Sequence, residues 1–132
     1  MYKALVSSGL NETVKLTVSF NSEILGKSSP PSAGAFNPTY LDQIVNISRV
    51  IYNSKSVFSV NIYPFYNLKP STDGSSLQKN VVFFDGGGEL TTDTGNGLVY
   101  ANVFDASLDA LFAAFKAAGI PQNVSSPSFR VT

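Results

Sequence analysis

A chain of 132 residues, 43% of them hydrophobic, is long enough for one domain with a packed core. Its nine basic and nine acidic residues cancel, with no run of either sign, so there is no electrostatic ground for nucleic acid or an anionic membrane as partner. Cys and His are both absent, which excludes a disulfide, a thiolate nucleophile, a zinc site of the usual ligands and a Ser-His-Asp triad; acid–base work would fall to Asp, Glu, Lys or Tyr.

Residues 2–10 read as the last turns of a helix that stops at Gly9. In "VKLTVSF", Val14, Leu16, Val18 and Phe20 alternate with Lys15, Thr17 and Ser19, the period of a half-buried strand. "NSEILGKSSPPSAGAFNPT" is rich in Pro, Gly and Ser and reads as a long loop. A helix follows from about Thr39, with a stripe through Leu41, Ile44, Val45, Ser48 and Ile51, and closes at Asn53 and Ser54. Next comes "FSVNIYPFY", a strand with Phe58, Val60 and Ile62 on one side and Ser59, Asn61 and Tyr63 on the other, stopped by Pro64. Helix, strand, helix, strand is the order of a parallel sheet with crossover helices, an α/β fold.

The segment 67–101 differs in character. "NLKPSTDGSS" is loop, "VVFF" a short strand, and "GLVYAN" is expected to pair back onto "VVFF" as a small inserted hairpin. A second long helix then places Phe104, Leu108, Leu111, Phe112 and Phe115 on one apolar face. Asn102 with Asp105 has the spacing of an N-terminal cap, and Gly119 with Pro121 marks the stop. The tail "QNVSSPSFRVT" has no clear period. No apolar run reaches the length of a membrane span, and "MYKALVSSGL" lacks the apolar stretch and cleavage site of a secretory signal. The N-x-[ST] triplets at Asn11, Asn46 and Asn123 lean slightly towards a secreted ancestry.

The carboxylates give no obvious catalytic pair. Glu23 follows the first strand closely enough to sit at a sheet mouth, but an exposed loop carboxylate is the commoner case, and Asp42 begins the next helix. Asp105 and Asp109 are read as first-turn charge and as a solvated or interhelix contact. Asp85, Glu89 and Asp93 miss the EF-hand spacing and are expected to be a solvated hairpin, while "DGGG" lacks the ending of a phosphate loop and reads as a turn.

The pieces "ALVSSGL", "VKLTVSF", "LGKSSPPSAGAF", "VNIYPFY" and "YANVFDASLDALFAAFKAAG" follow one another in an order that resembles the plant β-1,3-glucanases of glycoside hydrolase family 17. The resemblance covers the chain to about Gly119, and the joint order is more specific than any one piece. It implies a (β/α)8 TIM barrel with its ligand site at the C-terminal mouth of the strands. On that barrel "VKLTVSF" looks like the fifth strand and "FSVNIYPFY" like the sixth. Residues 1–132 then form a single incomplete segment of about two βα units with the small hairpin inserted. By the same resemblance Asn61 and Tyr63 point into the substrate cleft, where an amide bonds sugar hydroxyls and a phenol stacks on a pyranose face, with Phe65 and Tyr66 near its wall.

Retaining glycosidases need two carboxyl groups about 5–5.5 Å apart. The family carries them in "GNE" on the fourth strand and "ESGWP" on the seventh; neither string occurs here, and there is no Trp. The resemblance thus implies an internal fragment of a glucan endo-1,3-β-glucosidase, inactive alone, whose hydrolysis needs the rest of the barrel. Its partner would be β-1,3-glucan, with no cofactor, outside the cell or at the cell wall. Two other readings remain: a non-catalytic β-glucan-binding remnant using Asn61, Tyr63 and the "SSPPSAG" and "FYNLKP" loops, and a product with no independent function.

Overall fold

The structure, a computed structural model, describes residues 1–67, 82 and 91–121; of Tyr66 and Asn67 the backbone alone is described. Helix α1 (Tyr2–Ser7) ends where the sequence indicates. Gly9 takes φ 72°, and the N–H groups of Gly9 and Leu10 donate to the carbonyls of Val6 and Leu5, which satisfies the last turn.

Strand β1 is shorter than its alternation predicts. Only Ser19–Asn21 pairs, and Val14 and Val18 are exposed. Its partner β4 (Ser59–Asn61) is equally short, so there is no ladder for residues 14–18 to join; Thr17 Oγ1 donates to the Val57 carbonyl instead. The β1–β4 pair is parallel, with Ser19 opposite Ser59, Phe20 opposite Val60 and Asn21 opposite Asn61. A crossover through helix α2 (Leu41–Asn53) joins the two, as the alternating order requires.

The Pro/Gly/Ser-rich connection is more ordered than a loop. Asn21 accepts from the Glu23 N–H and opens a short 3-10 turn, and β2 (Leu25–Lys27) pairs antiparallel with β3 (Ala35–Phe36). Between them lies a second 3-10 turn, Pro31–Ala33. Buried Ile24 and Phe36 anchor this excursion, a contribution that composition alone conceals. In α2 the stripe holds at Ile44, Ser48 and Ile51, whereas Leu41 is exposed.

The inserted hairpin exists with a different first strand. Val99–Tyr100 (β6) pairs with Thr91–Thr92 (β5), Thr91 opposite Tyr100. Of "VVFF", only Val82 is described, and it is buried; the proposed pairing to that stretch otherwise lies outside the described residues. The tight turn 93–98 explains the shift: Asp93 N–H donates to the Leu98 carbonyl and Gly97 N–H to the Asp93 carbonyl, fixing the register next to the turn.

Helix α3 (Val103–Ala117) is capped by Asn102, whose side chain accepts from the Asp105 N–H and donates to the Asp105 carboxylate, both at 2.8 Å. It ends at Gly119, φ 66°, with Ile120 N–H donating to Phe115 C=O. Its buried face is rotated from the predicted stripe. Val103, Ala110, Leu111, Ala114 and Phe115 are buried, while Phe104, Leu108 and Phe112 are only half-buried. Small residues explain this: Gly34 of the second 3-10 turn meets the backbone of Ala110, and only an alanine row admits so close a neighbour.

The core is aromatic. Phe58 and Phe115 are both fully buried and meet edge to face at 4.8 Å. Phe115 also meets Phe36 at 5.1 Å, and Phe58 stacks on Phe20 at 4.9 Å. Rings of this size bury much of the available apolar area, and edge-to-face pairs add about 0.5–1.5 kcal/mol beyond that area. Phe58 and Val60 thus face α3, as the strand period predicts.

Candidate functional site

The two faces of β4 differ sharply. Val60 is buried, and Asn61, next along the strand, is exposed on the opposite face beside Asn21 of β1. Ser19, Asn21, Ser59 and Asn61 therefore form a hydroxyl-and-amide row on the face turned away from α3. Pro64 starts a 3-10 turn (Pro64–Asn67) as the strand leaves, and the turn sets Tyr63 and Phe65 together, ring centroids 5.9 Å apart at 66°. Tyr63 is 41% and Phe65 47% exposed. Three of the four sequence-predicted site residues thus share one strand exit; the side chain of Tyr66 lies outside the described residues.

Tyr63 also borders a cavity of about 400 Å³. Its lining combines apolar Ile24, Val60, Ile62 and Leu111 with Ser22, Ser28, Ser29, Thr91 and Ser107. Such a mixture of apolar and polar groups is typical of a small-ligand pocket. Glu23 stands near, exposed, with one carboxylate oxygen accepting from Asn21 Nδ2 at 3.2 Å. Among the described residues no group of three His, Cys, Asp or Glu could hold a metal.

Asp93 corrects the reading of a solvated hairpin. Its side chain is fully buried, and its carboxylate accepts from Ser32 N–H at 2.5 Å, Ser32 Oγ at 2.6 Å and Gly95 N–H at 2.7 Å. Burial pushes the Asp93 carboxyl towards its neutral form, but the bonds from Ser32 and the N–H groups of Ser32, Gly95 and Asn96 together outweigh that and hold it below the usual carboxylate range. Sequence reasoning missed the Asp93–Ser32 pair because its members are 61 residues apart. The one available signal was Ser32 directly after two prolines and two residues before a glycine, a place where side chains often serve turns.

Asp105 supplies the first-turn charge of α3, as expected, its N–H donating to the Asn102 cap, and Asp109 accepts from the Tyr100 hydroxyl at 2.7 Å. Burial first, and then the bond to Asp109 and its charge, push the Tyr100 hydroxyl up to about 12.

Comparison with known proteins places these features. The family described as "Glycosyl hydrolases family 17" matches residues 1–125. "Glucan endo-1,3-beta-glucosidase 13" of Arabidopsis thaliana is 37% identical over 114 residues, 86% of this chain and 22% of that protein. "Glucan endo-1,3-beta-glucosidase GV" of Hordeum vulgare is 30% identical over 121 residues, 92% of this chain and 37% of that one. A solved beta-1,3-glucanase, an allergen of Cryptomeria japonica pollen, superposes with a TM-score of 0.76 at 28% identity, covering 99% of this chain and 37% of its own. The chain thus spans between 22% and 37% of the length of these relatives. A parallel strand pair with its crossover helix, the capped "NVFDASLDA" helix and the strand exit at Tyr63 are a segment of that fold, and this chain belongs to glycosyl hydrolase family 17.

Proposed function

We propose that this chain forms part of the glucan-binding floor of an endo-1,3-β-glucosidase, with both catalytic carboxylates supplied by other parts of a longer barrel. In this reading β1 and β4 are the fifth and sixth barrel strands, and residues 1–132 are one incomplete barrel segment. Asn61 bonds sugar hydroxyls, Tyr63 stacks on a pyranose face, and Phe65 and Tyr66 form the adjoining wall. The ligand is a β-1,3-glucan met outside the cell or at the cell wall, and no cofactor takes part. The observation that carries the reading is the exposure of Asn61, Tyr63 and Phe65 at one strand exit, two of them aromatic rings in contact. Aromatic side chains left half in water are well suited to the apolar face of a sugar ring.

The test is titration of the 132-residue chain with β-1,3-linked glucose oligosaccharides, followed by tyrosine fluorescence. Saturable binding that Tyr63→Ala weakens at least tenfold supports the reading; binding unchanged by both Tyr63→Ala and Asn61→Ala overturns the site. A reducing-sugar assay on laminarin with the same chain should show no turnover. Turnover that survives Glu23→Gln would overturn the assignment of catalysis to other parts of the barrel.

A further inference from the structure

Three segments meet at one junction beside the cavity. The 3-10 turn Pro31–Ala33 lies on α3 through Gly34, where a Cβ would stand 2.0 Å from the Ala110 carbonyl oxygen. Strand β6 is tied to α3 by Tyr100 and Asp109. The remaining side of the triangle, from hairpin to turn, is made by the Asp93 carboxylate on Ser32. Gly95 is part of that side as well: a Cβ there would fall 2.2 Å from Ser32 Oγ, so the hairpin approaches the turn as closely as backbone permits. The two segments joined by Asp93 both line the cavity, the first through Ser28, Ser29 and Pro31 and the hairpin through Thr91.

We propose that Asp93 is a positioning residue that fixes the hairpin wall of the cavity against the Pro31–Ala33 turn, and through it the width of the binding surface beside Tyr63. The functional half of this statement rests on the glucan reading above. The chemistry is specific to a carboxylate. Besides the Ser32 hydroxyl, its two oxygens take backbone N–H groups that can only donate, those of Ser32 and Gly95 on different oxygens. An asparagine in its place must turn its own NH2 towards at least one of them, leaving two donors face to face in a buried site. Among the described residues, the titratable groups nearest this carboxylate on the packed elements are Tyr100 of the hairpin and, behind it, Asp109 of α3; Pro31–Gly34 contributes none.

The experiment compares the wild-type chain with Asp93→Asn, Ser32→Ala and Ser32→Thr by two readouts. Amide hydrogen exchange at Ser32 and Gly95 reports the junction without any sugar present, and oligosaccharide titration reports the surface. Asp93→Asn should keep the helical circular dichroism, speed exchange at both amides and raise the Kd about tenfold. Ser32→Ala should do the same more weakly, and Ser32→Thr, which keeps the hydroxyl, should stay near wild type. A folded Asp93→Asn chain with unchanged exchange overturns the proposal, as does faster exchange with an unchanged Kd. If Asp93→Asn does not fold, the Ser32 pair decides: Ser32→Ala indistinguishable from wild type sinks the idea. A wild-type chain that binds no sugar defeats the glucan reading, and exchange still decides whether Asp93 holds the wall.

Discussion

Gly34 and Ala110 touch backbone to backbone: a Cβ on Gly34 would lie 2.0 Å from the Ala110 carbonyl oxygen and 2.8 Å from its Cα. Neither partner is the tip of a flexible side chain, so relief requires moving the turn off the helix. Gly34→Ala should therefore destabilise the chain by about 3 kcal/mol, at the upper end of overpacking costs. Urea unfolding followed by circular dichroism measures it; a loss under half that would show that the turn shifts freely.

Tyr100 supplies an alkaline signature. Its hydroxyl is pushed from 10.0 up to about 12 by burial and by Asp109, so the folded state holds the proton more tightly than the unfolded chain does. The resulting stability is complete below pH 10 and is lost as pH rises from 10 towards 12. Tyr100→Phe should cost about 1–2 kcal/mol at neutral pH and flatten the stability profile across that alkaline window. An unflattened profile would place the titration elsewhere.

Helix α2 ends on a residue that the backbone does not favour. Lys55 sits at φ 52°, where Lys55 and Ser56 N–H groups donate to Tyr52 and Ile51, the arrangement that glycine supplies at the ends of α1 and α3. Lys55→Gly relieves the left-handed strain at some cost in chain entropy, and should raise stability by about 0.5–1 kcal/mol. Thermal unfolding detects the gain, and a drop would mean the lysine side chain holds a contact worth more than the strain.

Phe115 is the hub of the aromatic core, edge to face with both Phe36 and Phe58. Phe115→Ala should cost about 3–5 kcal/mol, the range for deleting a buried ring. Phe112→Ala, one turn position away but half-buried, should cost clearly less. Equal losses from the two would contradict the rotated face of α3.

What could be seen in the sequence was local. The caps of α3 were legible because Asn102 and Gly119 act on the residues beside them. That Asn61 and Val60 lie on opposite sides of their strand followed from its period alone. What escaped was set by contacts distant in the chain. Ala110 stands inside a phenylalanine stripe, and its role shows only once Gly34 is seen to lie against its backbone. Asp93 looked wet because its surroundings are polar and glycine-rich, yet one of those glycines, Gly95, is what leaves room for Ser32 beside its carboxylate. Strand length escaped for a related reason: alternation marks which side a residue faces, but pairing needs a neighbour, and Val14 and Val18 have none in the ladder.

The parallel register of β1 and β4 sets Asn21 level with Asn61 and Phe20 level with Val60. Sliding one strand by a single position would exchange its wet and dry sides, so the match between rows is locked by the core behind it. A polar row open to solvent and a closed aromatic core thereby occupy opposite sides of the same few peptides. Changes among Ser19, Asn21, Ser59 and Asn61 can alter the exposed row while the phenylalanine packing behind it stays untouched, giving this face room to vary without first becoming more stable.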